Sequence, residues 1–322
     1  MKKHIAIIAT VALLGAGLFA YPIVSNHLFA ANASQGIQQY NDTVDGKDDE
    51  ILAEILRKAT VYNENLAGDP EQDPFLAGSG MIVGQNYMRF LNIDNTGIMG
   101  YIQIPKIGVK LSVFHSTQEN VLQRGAGHLE GSSLPIGGAG AHAVITGHSG
   151  LAHARMFTGL PKLEKGDVFY IHVLDQTLAY QIDQIKTVLP EETEDLKKIK
   201  NEDYCTLVTC TPYGVNTHRL LVRGRRIEYI PGAEWELIEN SPSYVMWLNE
   251  WNILVGIVAG LVILAAAFVL IITGHIRKNK ICAERELVPW ETEGTTRKTV
   301  GGRRRRRPKS EKTYWWEGDG GL

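Results

Sequence analysis

Residues 206–219, TLVTCTPYGVNTHR, decide the reading of this 322-residue chain. A β-branched run ends at Cys210, Thr-Pro-Tyr-Gly follows as a turn, and a second apolar run opens at Arg219. This order predicts a β-hairpin that sets Cys210 and Arg219 side by side at one end of a sheet. A nearby cation stabilises a thiolate, and a guanidinium within reach of an attacked carbonyl stabilises the developing oxyanion. A third polar residue, His148, ends another apolar run, AVITGH at 143–148. Taken singly, each has an ordinary reading: a buried core thiol, one of ten histidines, a solvated arginine. Together they indicate a Cys-His hydrolase or transferase.

Outward from this hairpin, short β-rich runs alternate with glycine-rich turns from about residue 100 onward. Strands are expected at 101–104, 109–114, 142–146, 168–174, 178–188, 204–210 and 219–230, with short helices near 119–124 and 156–160. The pattern predicts an all-β barrel or sandwich. Upstream, 48–67 reads as a helix with Ile51, Leu52, Ile55, Leu56 and Ala59 on one stripe behind an acidic first turn. Residues 25–46 are polar and weakly patterned. Residues 68–80, GDPEQDPFLAGSG, hold two Asp-Pro pairs and three glycines and read as a loop.

Two apolar runs flank this part, IAIIATVALLGAGLFAYPIV at 5–24 and ILVGIVAGLVILAAAFVLIIT at 253–273, each long enough to cross a bilayer as a helix. Basic residues near membrane ends are retained inside the cell. Lys2 and Lys3 precede the first run, and Arg277, Lys278, Lys280 and Arg285 follow the second. Both termini are therefore expected in the cytoplasm and the middle of the chain outside. Net charge agrees: the chain is −2 overall, with 13 basic and 7 acidic residues in the tail at 275–322, so the excess of acid lies between the runs. A cleaved signal peptide has the same start, but the first run is long for a signal core and ends without a small-x-small site. The arginine run at 303–307 resembles a nucleic-acid patch; beside a membrane it more simply retains topology and meets anionic lipid.

Three cysteines are too few for a disulfide framework. Cys282 follows the second apolar run. Cys205 and Cys210 are five apart on one strand, so they point to opposite faces and are poorly placed to bridge. His128 and His142 lie near the same region and read as core, surface or supporting groups. His115, His153, His172 and His218 have no metal-site spacing. LPIGG at 134–138 reads as a turn.

TLVTC with arginine nine residues on, and TGH upstream, closely resembles the signature of the sortase family. The strings ITGHSGLAHARMFTGLPKLEKGD and TCTPYGVNTHRLLVRGRR are similar to its class C, pilus-assembling members. So are the paired apolar runs and Asp73-Pro74-Phe75, which resembles that class's lid. The resemblance implies a mainly β fold: a closed eight-stranded sortase-type β-barrel with short helices, an N-terminal helical and lid region and two transmembrane helices. It divides the chain into an N-terminal transmembrane helix or signal anchor (1–24), a helical segment and lid loop (25–80), a catalytic domain (81–232), a linker (233–252), a transmembrane helix (253–274) and a basic cytoplasmic tail (275–322).

Carried over by position, the catalytic residues are Cys210, His148 and Arg219, with Asp73, Pro74 and Phe75 as lid. Ser149 departs from the arginine expected after TGH in many class C members. The implied activity is cysteine transpeptidation: cleavage of an LPxTG-type signal between Thr and Gly and transfer to a pilin lysine, at the cell membrane, without metal, organic cofactor or nucleic acid. The same enzyme could instead anchor proteins to the cell wall, which the tandem apolar runs and the lid tripeptide argue against. A wall-anchored pilin or adhesin would need LPxTG before the second run, and 240–252 holds none.

Overall fold

The computed structural model describes residues 2–66, 75, 86–151, 154–233, 256, 260, 267–268 and 271–281. The chain forms two units, Met1–Val262 and Ile263–Leu322. In the second, the described residues are helical. The first holds helices α1 (Lys2–Asp45) and α2 (Asp49–Asn65), then strands β1 (Ile98–Ile104) and β2 (Val109–His115), the one-turn helix α3 (Glu119–Leu122), and strands β3 (Ala126–His128), β4 (His142–Thr146), β5 (Val168–Val173), β6 (Gln176–Val188), β7 (Tyr204–Thr211) and β8 (His218–Ile227). A 3-10 turn, Met156–Lys162, lies between β4 and β5.

The strands close into a barrel in the order β1-β2-β3-β4-β7-β8-β6-β5, with β5 returning to β1. Closure leaves no open sheet edge. Most neighbours are antiparallel, but β2–β3 and β4–β7 are parallel. The barrel is filled by alternate residues of each strand, among them Ile102, Ile104, Ile145, Phe169, Tyr180, Leu207 and Val222, all nearly inaccessible. A smaller cluster of Leu129, Val144, Leu196, Val208 and Leu221 lies on the other side of the strands, with Val188 and Phe75 against it.

Seven of the eight strands match the expected runs to within a few residues; β3 does not, because its surroundings read as a glycine loop. The glycines there serve close approach. A Cβ on Gly125 would come within 2.7 Å of the Ser112 carbonyl, and one on Gly127 would strike that of Ser116. Residues 25–46 correct a second expectation. Instead of a weakly patterned segment, all but the last of them form the C-terminal half of α1, which ends at Asp45. Ile37, Tyr40 and Val44 are its buried face, and three apolar residues in a polar helix make a faint stripe. Tyr40 donates its hydroxyl to the Met99 carbonyl at 3.1 Å and accepts the Leu174 N–H at 2.8 Å, pinning α1 to the barrel.

Two membrane-crossing helices are expected from the sequence; among the described residues, no helix is long and apolar enough to cross a membrane. The first apolar run lies within α1, with many of its side chains outside the described residues, and most of the second run lies outside them altogether.

Several histidines prove to be core. His128, fully buried, accepts the Tyr87 hydroxyl at Nδ1 (2.8 Å) and donates Nε2–H to the Ser133 carbonyl (2.8 Å). His142 donates to the Lys197 carbonyl at 2.8 Å and accepts from Thr206 Oγ1 at 2.7 Å. His172 stacks on Tyr101. His153 lies outside the described residues. Burial pushes both His128 and His172 from the usual 6.5 down to about 4. Below 6.5 the unfolded chain takes up protons that the folded chain refuses until near 4, so stability present above 6.5 is lost as pH falls through that window. Half-buried Glu130 and Asp203, whose carboxyls are raised by burial, oppose this only toward its acid end. The urea midpoint should drop between pH 7 and 5, each histidine contributing up to about 1.4 kcal/mol per pH unit. A midpoint constant over that range would contradict it.

Candidate active site

The β7–β8 hairpin forms as expected, with Cys210 opposite Arg219 and Thr211 opposite His218. Residues directly opposite in an antiparallel pair share a face, with Cβ atoms about 4.5–5.5 Å apart. Cys210 therefore lies on the side of Val208 and Leu221, outside the barrel interior. It is half-buried, whereas Arg219 is largely buried. The Arg219 Nη1 group donates to the Asn216 and His218 carbonyls, both at 3.1 Å, so the connecting loop fixes the guanidinium. Asn216 reaches this position with φ of 61°, in the left-handed region that asparagine tolerates.

Cys205 takes the opposite face. It is inaccessible, is packed in the barrel core, and has its thiol pushed well up by burial. A thiol so held is a poor nucleophile. Neither Cys205 nor Cys210 is disulfide-bonded.

His148 arrives by tertiary structure. Parallel pairing of β4 with β7 sets Thr146 beside Val208. Past the strand end the register is carried on: Gly147 N–H donates to the Val208 carbonyl (3.0 Å), and Thr209 Oγ1 to the Gly147 carbonyl (2.7 Å). Ser149 Oγ then donates to the Cys210 carbonyl at 2.7 Å. The backbone of His148 is thus tied level with Cys210 from both sides. Ser149, the departure from the expected arginine, acts as part of that tie. Behind the loop, the His148 carbonyl accepts the Phe157 N–H at 3.0 Å, and a Cβ on Gly147 would come within 2.7 Å of the Phe157 ring.

The imidazole of His148 faces two groups. Its Nε2 lies 3.2 and 3.3 Å from the carboxylate oxygens of Glu119, and its ring centroid is 5.8 Å from that of Phe75. Phe75 also lies 5.1 Å from the Arg219 guanidinium carbon, a cation–π distance. Of the expected lid, Phe75 reaches the site, whereas Asp73 and Pro74 lie outside the described residues. Glu119 was not legible beforehand: 29 residues separate it from His148, and only its place at the start of a short helix marked it.

On the solvent side of the hairpin loop, Tyr213 and Val215 are exposed, and Tyr213 lies against Gly150. Residues 134–138 form a turn, with Gly137 and Gly138 at positive φ. Among the described residues, no group of three or more His, Cys, Asp or Glu side chains is placed to hold a metal ion.

The chain resembles known proteins. The Sortase domain family matches residues 102–227. Sortase A of Bacillus anthracis is 27% identical over 133 residues, spanning 41% of this chain and 61% of that protein. Sortase A of Listeria monocytogenes is 24% identical over 225 residues, 70% of this chain and 90% of that one. Among solved structures, Streptococcus pneumoniae Sortase C is 45% identical with a TM-score of 0.56, covering 61% of this chain and 97% of that one. Sortase C-1 of Actinomyces oris is 46% identical with a TM-score of 0.54, covering 56% and 99%.

Proposed function

Since the chain belongs to the sortase family of cysteine transpeptidases, we propose that it joins pilin subunits, with Cys210 as nucleophile, His148 as proton carrier and Arg219 as oxyanion stabiliser. The observation that carries this reading is the register that sets Cys210 opposite Arg219 while hydrogen bonds on either side hold His148 at the same level. For the pilin, support comes from its structural relatives: the Streptococcus pneumoniae enzyme is described for pilin substrate specificity, and the 44% identical one from Group B Streptococcus as a pilus-related Sortase C.

In the reaction, the Cys210 thiolate attacks the threonine carbonyl carbon of an LPxTG-type signal. The C–S bond forms, and the oxyanion develops where a guanidinium fixed by loop carbonyls costs little reorganisation. His148 gives a proton to the glycine nitrogen as the C–N bond breaks, leaving a thioacyl enzyme. A lysine amine of the next subunit then loses its proton to His148 and attacks. The isopeptide bond forms, the C–S bond breaks and the thiolate returns. The domain at 81–232 would do this outside the membrane, with the apolar runs at 5–24 and 253–273 as anchors and both termini in the cytoplasm. Incubation of the protein with an LPxTG peptide should leave a thioacyl adduct on Cys210, detectable by mass spectrometry; its absence would refute the reading. The acceptor decides the pathway: a pilin lysine supports pilus assembly, and exclusive use of a cell-wall peptide amine would make it an anchoring enzyme.

Asp73-Pro74-Phe75 would act as a lid. Phe75 meets both Arg219 and His148, and removing its ring uncovers the site. The variant Phe75→Ala, alone or with Asp73→Ala, should raise the rate of Cys210 alkylation by iodoacetamide several-fold and increase peptide hydrolysis. An unchanged alkylation rate would exclude the lid. The buried Cys205 thiol does not interfere with this measurement.

A further inference from the structure

Catalytic imidazoles commonly have one nitrogen for the reacting atoms and the other held by an orienting group. Glu119 supplies such a group for His148. Both its oxygens lie within 3.3 Å of Nε2 and, being carboxylate, they accept only. The carboxylate is itself held: Glu119 opens α3, Leu122 on the same turn is buried, and the Gln123 amide donates to Oε1. The start of α3 is set in turn by Ser116, whose hydroxyl accepts the Gln118 N–H at 3.2 Å. The imidazole is mostly covered, whereas the Glu119 side chain is largely in solvent, so water competes with any purely electrostatic effect. What remains is direction.

We propose that Glu119 is a positioning residue for His148, accepting its Nε2–H and thereby keeping the lone pair of the neutral ring on Nδ1. A neutral imidazole has one N–H and one lone pair, so fixing the first fixes the second. The proton exchanged with the departing and incoming amines then passes through Nδ1. Glu119 does not touch the substrate in this account; it removes the inactive tautomer and ring rotations. The inference rests on His148 and Cys210 being the reacting pair.

The test uses the full chain. Single-turnover acylation of Cys210 by an LPxTG peptide, with no acceptor amine present, is followed by mass spectrometry, and the tautomer of His148 is read from its ring 15N shifts, assigned by their loss in His148→Gln. Glu119→Ala and Glu119→Lys remove the acceptor. They should slow acylation about two- to fivefold, as expected for an exposed pair, with little change in half-saturating peptide, and should move the 15N shifts toward a mixture of tautomers. Glu119→Gln keeps an acceptor oxygen and should preserve both the tautomer and most of the rate. No acylation by the unaltered protein would overturn the reading of the reaction itself. Normal acylation and unchanged 15N shifts in both loss variants would overturn the role of Glu119 alone, as would slow acylation with an unchanged tautomer. An effect confined to the step with the amine would place Glu119 with the acceptor and also overturn the proposal.

Discussion

Replacing Cys210 by alanine is expected to abolish thioacyl formation entirely, and with it the proposed joining of pilin subunits, while Cys205→Ala leaves both nearly intact. The two thiols lie on one strand and differ in face and environment. Cys210 ends β7 on the side that carries Arg219, whereas Cys205 is sealed in the barrel against the strand carrying Gly224. Loss of the nucleophile removes the covalent step, which no neighbouring group can replace. Loss of the Cys205 sulfur leaves a small void, costing about 1–2 kcal/mol of stability, near the low end for core truncations. The check is mass spectrometry of each variant after incubation with an LPxTG peptide, with a melting curve alongside. Equal loss of acylation in both variants, each still folded, would refute the assignment of Cys210.

Arg219→Lys should lower turnover about 10²- to 10³-fold, the effect seen when one oxyanion donor is lost, with the melting curve little changed. The charge survives and the geometry does not. Arg219 is a planar fork in which Nη1 is spent on the Asn216 and His218 carbonyls, so that the rest of the group is held in a set direction. A lysine ammonium at the end of a flexible chain cannot satisfy those carbonyls and present a fixed donor to the oxyanion together. The contact with the Phe75 ring would weaken as well. Steady-state kinetics with peptide and amine would show the fall in kcat. Near-normal turnover in a folded Arg219→Lys protein would make Arg219 structural.

The sequence by itself determined the strands of period two, the hairpin and therefore the facing of Cys210 and Arg219, because an antiparallel pair joined by a short turn is a local object. The opposed faces of Cys205 and Cys210 follow from the same alternation. His148 could be picked out as a residue, but only the parallel pairing of β4 with β7 ties it level with Cys210, since the strands that pair are joined by β5 and β6. Tertiary structure alone decided the rest. β3 was hidden because the glycines at and before it, Gly125 and Gly127, answer to backbone carbonyls in and just after β2, which no local pattern records. The end of α1 was hidden because three buried residues sufficed to dock it. Glu119 and Phe75 meet His148 from distant points in the chain, and contacts of that kind exist only once the barrel has closed and the segments before and between its strands have packed on its end.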